Sequence, residues 1–393
     1  MVKISRRGLM GGLAGLALAQ QAGAAKAALP NRGMRVAVIG AGIIGASIAY
    51  HLAREGAQVT VLEKDAPAVG ATGNSFAWLN AGGKRPRPYH TLNLLGLLGW
   101  HRLQTELGGA ALPMQWGGCV QWRSGADVAA RTAESIFRQQ EWGYPVQTID
   151  ASQLASLMPG LMPGAVDIAS FSAVEGTVNP VVATRALLDA AVAMGARVEH
   201  PVSVTGFDAG REGVRRVLSS QGALDVDAVV LAAGLGCMGL AGMLGARVPI
   251  ESSAGVLAHT EPGAMILPRL AFGPGANMKQ PPDGSFVTGA SFAGTPDLPA
   301  TREVGEALLA DARAYVPALG DLKLGEVTLG HRVLPGDSFP IVGHLPGSPN
   351  AYVAAMHSGM TMAPLIGELA ATELLGGPKA DLLEMFRPGR FGG

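Results

Sequence analysis

Two apolar patterns recur along this chain: short unbroken runs that end at glycines, and longer stretches in which apolar residues return every three to four positions. The run Val36 to Ile39 suits a strand buried on both faces, Gly40 to Gly45 leads into a helix-like stretch, Gly56 ends it, and Gln58 to Leu62 forms a second strand. Together they predict a βαβ unit. Pro88 to Leu107 reads as an amphipathic helix, Trp116 to Trp122 as a strand and Ala126 to Trp142 as a helix. Asn179-Pro180 opens a helix-like run to Met194, and Val198 to Phe207 and Val214 to Leu218 alternate as strands. Asp225 to Gly236 is another apolar strand ending in glycines. Beyond it lie β-like runs at Val256 to Thr260 and Ser285 to Gly289, and a helix at Val304 to Tyr315. A turn at Pro335 to Pro340, a strand at Ala351 to Ala355 and a loop feeding a helix from Gly359 complete the order. The pattern is that of an α/β chain weaving between two lobes.

With 393 residues, 48% of them hydrophobic and 15% charged, the chain can bury a large core. Thirty basic residues balance thirty acidic ones, so no net field draws it to nucleic acid, and a small molecule is the expected partner. Residues 1–28 stand apart. Lys3, Arg6 and Arg7 precede the mildly apolar run Gly8 to Ala19 and then small residues suited to cleavage near Ala24 or Ala27. Ser5-Arg6-Arg7-Gly8-Leu9-Met10 resembles the bacterial twin-arginine export signal, which implies a periplasmic protein associated with the membrane only through that signal. An ordinary secretory signal or an uncleaved anchor are the alternatives. The two cysteines, Cys119 and Cys237, allow either one disulfide or two buried thiols. With no CxxC and no His/Cys cluster at ligand spacing, no metal site is expected.

The first βαβ unit carries chemistry. Gly40 permits a tight turn, Gly42 lets a pyrophosphate approach bare N–H groups at a helix N-terminus, and Gly45 lets the helix pack close to the sheet. Glu63, at the end of the second strand, can accept hydrogen bonds from ribose hydroxyls. The strand ending at Gly234 and Gly236 repeats this logic, which favours a ligand longer than one mononucleotide. Ala71 to Gly83 is a loop of small residues, hydroxyls and amides suited to a flat, polar-edged cofactor. A nicotinamide dinucleotide would use the same fingerprint; the second glycine junction and the Gly359 segment weigh against it.

Four motifs together resemble the D-amino-acid oxidase, glycine oxidase and sarcosine oxidase superfamily of FAD proteins: Gly40 to Glu63, Gly70 to Gly83, Val229 to Gly234, and the C-terminal pair Gly330 to Gly343 and His357 to Gly367. The resemblance implies a Rossmann-like FAD-binding domain assembled from separated segments, 34–87, 150–246 and 330–393, and a mixed-sheet α+β substrate domain, 88–149 and 247–329. It implies that Gly40, Gly42, Ile43, Ile44 and Gly45 meet the FAD pyrophosphate, Glu63 and Lys64 the adenosine ribose, and Val202 the adenine through strand backbone. Thr72, Asn74 and Ser75 would lie beside pyrophosphate and flavin, Ala233 and Gly234 near the phosphates, and Gly359, Met360 and Thr361 at the flavin pyrimidine edge. A positive helix end there would stabilise the anionic reduced flavin. Arg332 matches the arginine that pairs with a substrate carboxylate, a role its planar fork suits; satisfying turn carbonyls is the alternative. His357 lines the site or is a packed core histidine.

Leu79 stands where covalent members carry a histidine, and no cysteine follows Cys237, so FAD is expected to be non-covalent. The segment after His357 lacks a second arginine, which leaves substrate size open. Lys84, Arg85 and Arg87 meet an anionic substrate, meet the flavin, or lie on a solvated loop. Trp78, Trp116 and Trp122 wall a pocket or pack in the core. The implied reaction is oxidation of the CH–NH bond of an amino acid or amine by hydride transfer to FAD, with oxygen or a quinone chain as acceptor. A dehydrogenase of another small hydroxy or amino substrate, and a flavin-binding protein without turnover, are the rivals.

Overall fold

A computed structural model of the chain describes residues 29–290 and 298–392. The expected export segment, 1–28, lies outside them. The first βαβ unit forms as its pattern requires: strand Arg35–Ile39, helix Ile43–Arg54 and strand Gln58–Leu62. The last four residues of each strand are buried, because helices cover one face of this sheet and a second layer covers the other.

That sheet has six strands in the order Ile341–Leu345, Ser348–Ala355, Ala228–Leu231, Arg35–Ile39, Gln58–Leu62, Arg197–Glu199. All neighbours are parallel except the C-terminal hairpin. Its strands come from far apart in the chain, as expected for a parallel sheet closed by crossovers. Helices Ile43–Arg54, Arg87–Leu107, Pro180–Ala193 and Gly359–Leu374 fill one side. On the other side lie the antiparallel strands Val204–Gly210, Gly213–Ser219 and Gly222–Asp225 and the short helix Cys237–Met243.

The second sheet has eight strands in the order Leu324–Pro335, Ile250–Thr260, Val287–Gly289, Ala276–Lys279, Leu270–Gly273, Cys119–Arg123, Ile168–Ser172, Val146–Ile149. It is mixed, with one parallel pair between Leu270–Gly273 and Cys119–Arg123. Helix Arg302–Tyr315 buries Leu308, Leu309 and Ala312 on one face. Residues of the opposite face, Cys119, Leu270, Phe272 and Val287, pack against Phe76 and Trp78 of the loop that follows the first βαβ unit.

The expected domain limits shift in three places. Helix Arg87–Leu107, assigned by the sequence to the substrate domain from residue 88, packs instead in the first core: Trp100 is fully buried and its Nε1 donates to Met360 O at 2.8 Å. A Cβ on Gly96 would come within 2.6 Å of Thr361 O, so only glycine allows this helix to lie so close to Gly359–Leu374. Strands Ile168–Ser172 and Leu324–Pro335 join the second sheet although they fall wholly or partly in segments expected for the first. An apolar strand carries the same pattern in either sheet, so the pattern does not say which sheet it joins.

Smaller differences have local causes. The expected strand Trp116 to Trp122 is Met114–Gln115 and Cys119–Arg123, interrupted at Gly118, whose φ is +78°. The stretch Val198 to Phe207 divides at Pro201, which has no N–H for a ladder, into an edge strand of the six-stranded sheet and a strand of the three-stranded one. The helix start at Asn179-Pro180 forms as read, with Asn179 Oδ1 accepting from the N–H groups of Val181 and Val182 at 3.0 and 3.2 Å. Cys119 and Cys237 are both buried free thiols.

Candidate cofactor and substrate site

At the first strand–helix junction Gly40 has φ +107°, and a Cβ there would lie 2.5 Å from Ala232 O of the second junction. The two glycine turns are thus pressed together, with Ala232 N–H bonded to Ile39 O at 2.9 Å. Gly45 is the second close approach, where a Cβ would collide with Gly40 O. Helix Ile43–Arg54 begins with no cap from the side chain of its N-cap residue, Gly42, and no acidic residue in its first turn. Ile43 N–H donates to Thr72 Oγ1 at 3.1 Å, which ties the following loop to this helix start. The Glu63 carboxylate is held by Ala41 N–H at 2.8 Å and Asp65 N–H at 3.0 Å, fixed at the carboxyl edge of the sheet where a ribose would meet it.

Residues 66–83, the ring loop, run between the two large sheets and include the short strand Trp78–Leu79, which pairs with Gly176–Val178. Asn74 Nδ2 donates to Gly70 O at 3.0 Å, and Ser75 Oγ accepts from Ala77 N–H at 3.0 Å. Their side chains therefore shape the loop, and Ala77 is held at φ +53°. Gly330, on the first strand of the second sheet, lies against Asn74, within 2.9 Å of where its Cβ would be. Trp78 Nε1 donates to Glu175 at 2.6 Å and its ring meets Phe272 edge-on at 4.6 Å. Glu175 is 1% exposed and also accepts from Tyr144 OH at 2.7 Å. Burial raises its carboxyl to about 7 against the lowering by these donors.

The helix start at Gly359 closes the site from a third direction. Ser358 sits at φ +59° before it, and this helix too has neither side-chain cap nor acid in its first turn. Gly359 packs on Ile44, and Thr361 Oγ1 accepts from Asn80 N–H and donates to Trp78 O, both at 3.3 Å. Met360 is buried. Ser358 Oγ gathers three groups: Lys84 Nζ at 2.9 Å, His357 Nδ1 at 3.1 Å and Tyr89 OH at 3.3 Å. Burial, then the charges of Lys84 and Arg332, push His357 down to about 4, so it is neutral at physiological pH. Burial lowers Lys84 to about 8, with Glu175 opposing. Arg332, half-buried, donates from Nη2 to Ser253 Oγ at 2.9 Å and Ala254 O at 3.1 Å on the neighbouring strand.

The structure therefore draws together Gly40, Gly42, Ile43, Ile44, Gly45, Glu63, Thr72, Asn74, Ser75, Ala233, Gly234, Gly359, Met360, Thr361, His357 and Arg332. Two residues behave otherwise. Val202 is not on a strand: it precedes Val204–Gly210, and its N–H is bonded to Glu63 O at 2.7 Å, so any backbone reading of adenine there must use its carbonyl. Lys64 points outward, its side chain 74% exposed and 3.5 Å from Asp65. The basic run divides as well: Lys84 is drawn into the site, while Arg85 and Arg87 are exposed. Trp122 and Trp116 serve packing, the first fully buried and the second stacked on His101 at 3.9 Å. Glu175, Ser358 and Tyr89 were not singled out from sequence. Their importance arises from hydrogen bonds across 274 and 269 positions from Ser358 to Lys84 and Tyr89, and across 97 for Glu175 and Trp78, which no local pattern reports.

Two glycine-bearing strand–helix junctions that touch, an acid at the neighbouring strand end and a second helix start facing the loop 66–83 have the form of a dinucleotide-binding protein built on two sheets. The chain belongs to the FAD dependent oxidoreductase (DAO) family, whose description matches residues 35–373. It is 28% identical over 376 residues to an opine oxidase subunit of Agrobacterium tumefaciens (strain Ach5), covering 90% of this chain and 96% of that protein. Among solved structures it is similar to glycine oxidase from Geobacillus kaustophilus, with a TM-score of 0.83 at 23% identity, covering 92% of this chain and 100% of that one. It is also similar to iminodiacetate oxidase from Chelativorans sp. BNC1, with a TM-score of 0.77 at 25% identity, covering 90% and 99%. FAD is the cofactor, held non-covalently. The cradle fits it: Gly42 puts no side chain at the helix start, where a pyrophosphate can approach, and Glu63 is held at the neighbouring strand end, where a ribose would meet it.

Proposed function

We propose that the protein oxidises the CH–NH bond of an amino acid or secondary amine, and that Arg332 binds the substrate carboxylate. The observation that carries this reading is the half-buried Arg332 guanidinium, two residues from Gly330 on the strand that lies against the ring loop. The opine oxidase and iminodiacetate oxidase relatives, both named for nitrogen compounds, support it. Bound FAD supplies a two-electron acceptor for the hydride on the substrate carbon. The chain supplies orientation: the planar Arg332 fork fixes a carboxylate and with it the neighbouring C–H. His357, neutral in the working range, adds no positive charge against an amine. The helix start at Gly359 offers positive potential to an electron-rich ring edge. The imine product hydrolyses in water to a keto acid or aldehyde, and the electrons pass to oxygen or a quinone chain.

Arg332→Ala tests the assignment. It should raise KM for carboxylate substrates, or lower kcat/KM, by about 10²-fold, the scale of a lost charge-assisted hydrogen-bond pair, while flavin content stays that of the parent protein. Unchanged kinetics would remove Arg332 from the site. We infer also that residues 1–28 form a twin-arginine export signal and that the mature protein is periplasmic.

A further inference from the structure

We propose that Glu175 is a positioning residue for the cofactor: it holds the ring loop through Trp78 and Tyr144, and holds it firmly only as the carboxylate. The inference is independent of the substrate and of Arg332, and rests on the ring loop lying against bound FAD. Glu175 stands between Ile168–Ser172 of the eight-stranded sheet and Gly176–Val178, the short strand that pairs with Trp78–Leu79. Its backbone carbonyl accepts from Gly118 N–H at 3.0 Å, next to strand Cys119–Arg123, which fixes the residue to the second sheet. The side chain is 1% exposed, and each carboxylate oxygen has its own donor: Tyr144 OH reaches Oε1 at 2.7 Å and Trp78 Nε1 reaches Oε2 at 2.6 Å. The Tyr144 oxygen in turn accepts from Ala81 N–H at 3.2 Å, and a Cβ on Gly82 would lie 3.3 Å from Oε1. One buried acid thus grips the loop at residues 78, 81 and 82. From the other side Thr361 bonds Trp78 O and Asn80 N–H, so this stretch is clamped between the carboxylate and the Gly359 helix.

The donors decide which protonation state fits. An indole N–H can only donate, so Oε2 must remain an acceptor and a proton on the acid can sit only on Oε1. There it would meet the Tyr144 oxygen, which would have to accept it alongside Ala81 N–H and turn its own hydrogen toward Ser172 Oγ, a buried hydroxyl within its reach that has no hydrogen-bond partner among the described residues. The Ala81 contact, long at 3.2 Å, is the one that weakens, and the loop is held at one point fewer. Cys119 and Tyr144 face the same carboxylate, and burial together with its charge raises both well above their usual ranges, so both keep their protons. Burial lowers His90, whose ring meets Tyr144 edge-on at 5.3 Å, so it is neutral. The charges that act on this cluster are Lys84, which interacts with Glu175, and Arg123, which interacts with Cys119. Burial raises Glu175 itself to about 7 against the lowering by its donors, so both of its forms occur near physiological pH.

The test uses the holoprotein and reads the flavin, with no substrate present, so its outcome is separate from that of the amine-oxidation reading. Between about pH 5.5 and pH 8.5 the flavin absorption bands and the rate of FAD release should follow one proton, with release about 2- to 10-fold faster on the acid side, the range of one neutral hydrogen bond. The midpoint should fall at about 7. Glu175→Gln keeps the size and one acceptor but cannot ionise, so it should show the acid-side bands and release rate at every pH. Tyr144→Phe should release FAD faster at every pH and move the midpoint upward, since the carboxylate has lost a donor. Lys84→Gln, which removes another group that changes charge in this range, should keep the transition. A wild type without a transition, a transition that survives in Glu175→Gln, or one that vanishes in Lys84→Gln overturns the proposal. The wild-type and Tyr144→Phe titrations decide the matter even where Glu175→Gln loads no FAD. Tryptophan emission follows the loop itself: a Glu175-dependent change in emission while the flavin bands stay constant would also overturn the proposal, because the loop would then move without touching the cofactor.

Discussion

Lys84 and His357 show how one hydroxyl organises charge. Both donate to or share Ser358 Oγ, yet burial acts on them to different effect: His357 at about 4 is neutral throughout the physiological range, whereas Lys84 at about 8 is a cation below that pH and neutral above it. The sign of the consequence follows. As pH rises through about 8 the ammonium is lost, so any step that uses the Lys84 charge should weaken, while a carboxylate held by Arg332 keeps its partner, since a guanidinium keeps its proton. Titrating kcat/KM of the parent protein and of Lys84→Gln between about pH 6 and pH 10 reads this directly; parallel curves would separate Lys84 from the reaction. At this scale the sequence was partly legible. Arg332 and His357 could be named from their motifs, but Lys84 could not be told from Arg85 and Arg87, because the three share one short run and only the path of the loop turns the first inward.

Helix Arg87–Leu107 sets the position of the Gly359 helix start, and it does so through glycine. A methyl on Gly96 would meet Thr361 O at 2.6 Å and Met362 Cα at 2.8 Å, and both are backbone atoms that cannot rotate away. Gly96→Ala gains up to about 1 kcal/mol of helix propensity and loses about 1–3 kcal/mol to overpacking, so overpacking wins. The variant should melt a few degrees lower than the parent and show a shifted flavin absorption band, because Thr361 ties this helix to Trp78 O and Asn80 N–H. A variant with parental melting and spectrum would show that the two helices adjust without disturbing the ring loop. The helix itself was legible from its apolar period, and its partner was not. An amphipathic helix needs an apolar neighbour, and nothing in the period of residues 87–107 says whether that neighbour lies in the first sheet's helical layer or the second domain.

Across the whole molecule, the cofactor site is assembled from four separated stretches: the first βαβ unit, the ring loop, the junction after Ala228–Leu231, and the Gly359 helix start. These stretches meet only in the folded chain. The twin-arginine export proposed above, whose pathway carries folded protein, accords with cofactor loading before transport. Replacing Arg6 and Arg7 together by lysine should leave yellow holoprotein in the cytoplasm of the producing cell, whereas the parent chain should appear in the periplasmic fraction. Equal distribution of the two proteins would dismiss the twin-arginine assignment.

The amino-acid order alone determined what depends on near neighbours: buried runs ending at glycines, the junction with Glu63 beyond it, Asn179 opening a helix, and hence an α/β dinucleotide-binding protein. Those features rest on backbone freedom and local hydrogen bonding, which a few consecutive residues decide. Only the tertiary structure decided which sheet received Ile168–Ser172 and Leu324–Pro335, that Val202 gives its N–H to Glu63, and that Lys84 rather than Arg85 or Arg87 reaches Ser358. Burial and through-space charge are properties of residues brought together from distant positions, so the surroundings of a cation are set only when the fold has closed around it.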